Sequence, residues 1–149
     1  MVMKHCPGIV LLVICFAFPY CRSSRPIVKT PFDLQVICTQ DHKFIGKPLK
    51  YLVGAIKPKI EFVMAQGGGS EQSARMSFFF IPRERYERLR SRNVIRITMF
   101  FRKKFEWPFE ERMKRAAGPF VWDENDLKRY GNMIVGAIRI YGEYRPEDY

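Results

Sequence analysis

Val94-Ile95-Arg96-Ile97-Thr98-Met99-Phe100-Phe101-Arg102-Lys103-Lys104-Phe105-Glu106-Trp107-Pro108-Phe109 opens with a period of two. Ile95, Ile97, Met99 and Phe101 fall on one face, and Arg96, Thr98, Phe100 and Arg102 fall on the other. That pattern predicts a half-buried antiparallel strand over 94–101. Lys103-Lys104 reads as a turn, and Phe105–Phe109 as a short second strand. Glu106 stands there between aromatic residues, just past three cations. Burial would raise the pKa of such a carboxylate and the cations would lower it, which is how a general base is made. The plainer reading is a strand-end glutamate paired with a lysine.

The same reading extends in both directions. Met76–Ile81 and Ile60–Met64 are strands on the near side, and Met133–Tyr141 is a long final strand on the far side. Asp33–Cys38 alternates and leans towards a first strand. Pro48 opens a helix, since proline suits the first helical position. Leu49, Leu52, Val53 and Ile56 then recur at i, i+3, i+4 and i+7 along one stripe, and Pro58 stops it. Gln66-Gly67-Gly68-Gly69-Ser70 is a surface loop; no Lys-Ser/Thr follows to make it a phosphate cradle. Pro82–Arg92 is a charged loop or one exposed helical turn, and Asp123–Asp126 a turn. One helix packed on a twisted sheet of about five antiparallel strands is an α+β domain.

Residues 1–24 read apart from the rest. Lys4 and His5 precede an apolar run from Ile9 to Phe18, followed by a polar exit through Ser24. That is the layout of a secretory signal peptide, and the run is too short to span a bilayer. The domain is then residues 25–149, with no membrane span expected. Of 26 Lys and Arg the leader holds two, Lys4 and Arg22, and none of the 15 acids, so 24 − 15 leaves a net charge of +9. Such a balance favours anionic partners. Cys6, Cys15 and Cys21 lie in or beside the leader. Cys38 is left as a buried thiol, an intermolecular bridge or a residue without its partner, the buried thiol being the expectation. A cut before Cys21 would instead allow a Cys21–Cys38 bridge.

Ordinary catalytic sets fail. Past residue 24 there is one histidine, His42, and one cysteine, too few for the usual zinc ligands, and no cofactor or metal is expected. The basic stretch is the better signal. From Arg83 to Arg115 there are 12 Lys or Arg against 5 acids, interleaved with Tyr86, Phe100, Phe101 and Phe105. Arginines and aromatic rings on one sheet face suit RNA, the charges meeting phosphates and the rings meeting unstacked bases. The alternative is a solvated basic face.

Several of these words resemble those of the small fungal guanyl-specific ribonucleases. Phe105-Glu106-Trp107-Pro108 is similar to their Glu-Trp-Pro strand, and Phe120-Val121-Trp122-Asp123-Glu124-Asn125 to their Val-Val-Phe-Asn-Glu-Asn segment. Ile81-Pro82-Arg83 falls where they carry Tyr-Pro-His. Val36-Ile37-Cys38 with Phe44, Leu49, Leu52 and Ala55 looks more like the secreted ribonuclease-like effectors of powdery mildew fungi. The resemblance covers most of residues 33–142. It implies a microbial ribonuclease-like fold, with Glu106 in the place of the general base.

In that family a histidine on the last long strand protonates the leaving group. Here the matching position is Arg139 or Ile140. The histidine after the proline is Arg83, the tyrosine before it is Ile81, and the arginine before the Val-Val-Phe strand is Pro119 or Phe120. The C-terminal cysteine that would partner Cys38 is absent. Each acid–base group contributes typically ~10²–10⁴ in rate, and arginine does not release its proton. The resemblance therefore implies a secreted effector, delivered into a host cell, in which Glu106 is vestigial. Its expected partner is host RNA, held by Arg83, Arg85, Arg88, Arg96, Lys103 and Lys104 with Tyr86 as a stacking ring. A host defence protein on the same scaffold, and a residual ribonuclease using Glu106, are the rival readings.

Overall fold

The structure, a computed structural model, describes residues 26–66, 72–89 and 93–149. The expected leader, the expected glycine loop (residues 67–71), and Arg90 and Arg92 lie outside the described residues. Four strands form one antiparallel sheet in chain order: β1 Phe62–Gln66, β2 Gln72–Phe79, β3 Arg96–Glu106 and β4 Val135–Tyr141. Five short helices accompany them: α1 Gln35–Thr39, α2 Leu49–Ala55, α3 Arg83–Arg88, α4 Phe109–Met113 and α5 Glu124–Tyr130. The class is α+β, with more helices and fewer strands among the described residues than the sequence pattern suggests. Among the described residues no helix is long and apolar enough to cross a membrane.

Alternation sets which face of the sheet is buried. Val63, Phe78, Ile97 and Ile140 lie across one row, and Met76, Met99 and Ile138 across the next. These side chains meet Leu34, Ile37, Leu49, Leu52 and Ala55 in the core. Leu49 and Leu52 are fully buried, as the stripe on α2 predicts, although Pro48 is the residue before the helix and not its first.

Asp33–Cys38 is not a strand. Pro31–Leu34 is a 3-10 turn that runs on into α1. The Asp33 carboxylate accepts from the main-chain N–H of Thr30 at 2.9 Å and of Lys29 at 3.1 Å, and Pro31 occupies the first turn. These caps start a helix, which places Leu34 and Ile37 together in the core and overrides the β preference of Val36 and Ile37. Cys38 then falls on the outer side and is exposed, so the expected buried thiol is not found.

Nor does the chain turn at Lys103-Lys104. β3 runs on to Glu106, with register shifts against β2 between Ser73 and Arg75 and against β4 beside Phe100 and Phe101. Irregular pairing absorbs the break that the two lysines suggest. Phe105 stays on the core side, 5.3 Å from the Phe101 ring and 5.5 Å from that of Tyr130. The strand ends there, and Phe109 begins α4. Asp123-Glu124-Asn125-Asp126 is also not a mere turn. Asp123 caps α5, its carboxylate accepting from the Asp126 N–H at 2.9 Å.

Candidate nucleic-acid interface

Side chains on the other face of the sheet form three rows across the strands. Phe62, Phe79, Arg96 and Tyr141 make the first, Met64, Ser77, Thr98 and Arg139 the second, and Gln66, Arg75, Phe100 and Ala137 the third. No acidic residue stands in these rows. Arg96 lies over the Tyr141 ring at 5.0 Å, and Arg139 over Phe100 at 5.3 Å. Stacking occupies a guanidinium's flat face and leaves its edge N–H donors to turn towards a ligand. Arg75, Arg96 and Arg139 have no ion pair among the described residues. The Ser77 and Thr98 hydroxyls meet at 2.8 Å, so the middle row is polar as well.

A depression of about 250 Å³ opens on this face, bordered by Arg75, Arg96, Ser77, Thr98, Tyr86 and Tyr141. Tyr86 forms its wall. The ring sits edge-on to Phe79 at 4.9 Å and tilted on Phe62 at 5.3 Å, while those two rings stack at 4.3 Å. One side of Tyr86 is thus used for packing, and only the rest can meet a ligand.

The residues singled out from the sequence do not converge on one site. Arg96 and Tyr86 border the depression. Arg83 faces elsewhere, its guanidinium 4.0 Å from the centre of the Phe120 ring and its Nε 3.7 Å from Glu87. Arg85 donates to the main-chain carbonyl of Glu147 and fastens α3 to the C-terminal turn. Arg88, Lys103 and Lys104 are exposed but are not among the residues bordering the depression. Glu106 ends β3 ten residues beyond Arg96, up to roughly 30 Å away along a strand. It is not enclosed by aromatics: its side chain is 64% exposed and its cation is Arg129 on α5, at 3.7 Å. Arg129 is shared with Glu111 at 3.3 Å.

Arg75, Arg139 and Tyr141 complete the face without having been expected there. Their signal was present in the alternation with Met76 and Phe78 on one strand and with Ile138 and Ile140 on the other. Of the two positions that match the family's histidine, Arg139 faces outward opposite Thr98, and Ile140 packs inward opposite Ile97. His42 is exposed in the turn Asp41–Lys43, before α2. Among the described residues no cluster of three His, Cys, Asp or Glu is placed to hold a metal.

Two residues of the basic stretch are tied up inside the fold, one fully buried and one partly exposed. Arg112, on α4, is fully buried. It donates from Nε to the Pro119 carbonyl at 2.7 Å, from Nη2 to the Val121 carbonyl at 2.9 Å, and from both terminal nitrogens to the Asp126 carboxylate. The Trp107 ring covers it at 3.8 Å. Arg115 adds a second cation to Asp126 at 3.1 Å. So the tryptophan of the Glu-Trp-Pro word roofs a buried ion pair, while the glutamate beside it points to solvent.

No protein family, curated protein or solved structure compared with the chain matches it.

Proposed function

We propose that the protein is a secreted, ribonuclease-like effector that binds host RNA and does not cut it. The open face of the sheet is the binding surface. The observation that carries this reading is the set Arg75, Arg96 and Arg139 on three adjacent strands, with Tyr141 and Phe100 beside them and no acid in the rows. Phosphates meet the guanidinium edges, and splayed bases meet the exposed parts of the rings. Arg88, Lys103 and Lys104 add to the field without reading sequence. Lack of cleavage is supported by chemistry: Arg139 cannot act as an acid, and Glu106 ends β3 beyond the three rows that hold the arginines. The ribonuclease-like descent rests on the Glu-Trp-Pro and neighbouring words.

Filter binding of single-stranded RNA across a salt series tests the reading. The logarithm of affinity is expected to fall linearly with the logarithm of salt, at about 0.7 per neutralised phosphate. The variant Arg75→Gln/Arg96→Gln/Arg139→Gln should bind more weakly and with a shallower slope. Absent or salt-independent binding, or a triple variant that binds like the parent, would overturn it. RNA cleavage that disappears in Glu106→Gln would overturn the non-cutting part. A host protein captured equally with and without nuclease treatment would favour the protein-binding alternative.

A further inference from the structure

The helical side of the molecule carries a groove of about 580 Å³ that RNA binding leaves unexplained. Phe44 and Ala55 form part of its lining and are nearly buried, while Ile27 is half-buried. Tyr51 also lines it and is 57% exposed, unusual for a large aromatic residue in this chain. Among the described residues, the charged ones lining it are Lys43 and Lys47. Lys43 is held by the Gln40 side-chain oxygen at 2.8 Å, whereas Lys47 has no ion pair among the described residues. Lys50 adds a third cation nearby, its Nζ 6.0 Å from the centre of the Tyr51 ring.

The volume is within the usual range for small-molecule sites, roughly 300–1,000 Å³, and the lining is the usual mixture of apolar surface with few polar groups. A neutral apolar ligand would make no use of the two positive charges, and a cation would be repelled by them. A strongly hydrated anion would gain nothing from Phe44, Tyr51 and Ile27. We infer that the groove binds a free amphiphilic carboxylate, an alkyl or aryl acid whose body lies against Tyr51 and Phe44 and whose carboxylate pairs with Lys47 and Lys43. This site is independent of the sheet face: none of the residues that line it borders the depression there.

Titration calorimetry of the chain with a series of alkyl carboxylates below their micellar concentrations tests this. Saturable one-to-one binding is expected, tightening about fourfold per added methylene until the groove is filled. An alkyltrimethylammonium ion of equal length should bind far more weakly. Lys47→Glu should weaken carboxylate binding by about fivefold or more. Tyr51→Ser, at an exposed position, should weaken it while leaving the far-UV spectrum and RNA affinity unchanged. Non-saturable uptake, equal affinity for the cationic amphiphile, or carboxylate binding indifferent to Tyr51→Ser would overturn the site. The last result would mean that only the basic surface attracts the anion. Because RNA affinity is read on the same variants, failure here leaves the RNA reading untouched, and the reverse also holds.

Discussion

Arginines stack on aromatic rings in two regions of this molecule, and the surroundings of the two are opposite. At the junction of α4 and α5, Arg112 lies under Trp107 with its donors used by Asp126 and two carbonyls, and no surface left exposed. On the open sheet face, Arg96 and Arg139 lie over Tyr141 and Phe100 with no ion pair to a carboxylate among the described residues. The ring contact is alike in both. What differs is the acceptor set. A guanidinium that has its acceptors within the fold is a structural tie, and one that lacks them is ready for acceptors from outside. Counting basic residues along the chain merges these two kinds of arginine.

Removing the closed arginine should have the larger effect. Arg112→Met leaves Asp126 buried with only Arg115 to neutralise it, and is expected to cost about 3–5 kcal/mol in urea unfolding. A loss below about 1 kcal/mol would erase the contrast. By the same reasoning, Arg75→Gln, Arg96→Gln and Arg139→Gln should each change stability by no more than about 1 kcal/mol, the scale of an exposed cation–ring contact, while lowering RNA affinity. If any of them unfolds the chain, that arginine belongs with Arg112.

Tyr130 links the closed region to β3: its hydroxyl donates to the Glu106 carbonyl at 3.2 Å, and its ring stacks 5.4 Å from Trp107. Burial raises its pKa, partly opposed by Arg129 and Arg112. Tyr130→Phe keeps the stacking and should cost about 0.5–1.5 kcal/mol, measured by the same unfolding curves. The smallest expected effect is at Asp33, far from both regions. The hydrogen bond from the Thr30 N–H is the largest influence on its carboxyl, and the net pKa is below the usual value. A lowered folded pKa stabilises the fold above the unfolded pKa, and that contribution is lost as pH falls through the folded value. The melting temperature of Asp33→Asn should therefore be slightly below that of the parent at pH 6. The gap should close as the pH falls below the ordinary carboxylate range. A gap that widens in acid would remove the carboxylate from the cap.

Local pattern reached the elements whose stability is local. The α2 stripe and the two-residue period of β3 were legible because each places its own apolar residues on one side, whatever they meet. It failed where a few side chains outside the pattern decide. Asp33 turns a β-leaning segment into α1. The register shifts carry β3 past two lysines. The helix that Asp123 caps is fixed in place by Arg112, 14 residues before Asp126, which donates to the Asp126 carboxylate. The candidate interface was legible in kind, since arginines and rings on a sheet face follow from alternation. Its membership was not, because Arg75 and Arg139 join Arg96 only through strand pairing.

The sequence by itself determined an α+β chain with a strongly basic balance, a sheet with one apolar face, and the arginines alternating out of it. Tertiary structure alone decided which charges are free. Whether an arginine faces water, a ring or a buried carboxylate depends on acceptors supplied by distant segments, and no local period encodes their arrival. That is why Glu106, conspicuous among aromatics in the sequence, ends as an exposed partner of Arg129, while Trp107 beside it closes over Arg112.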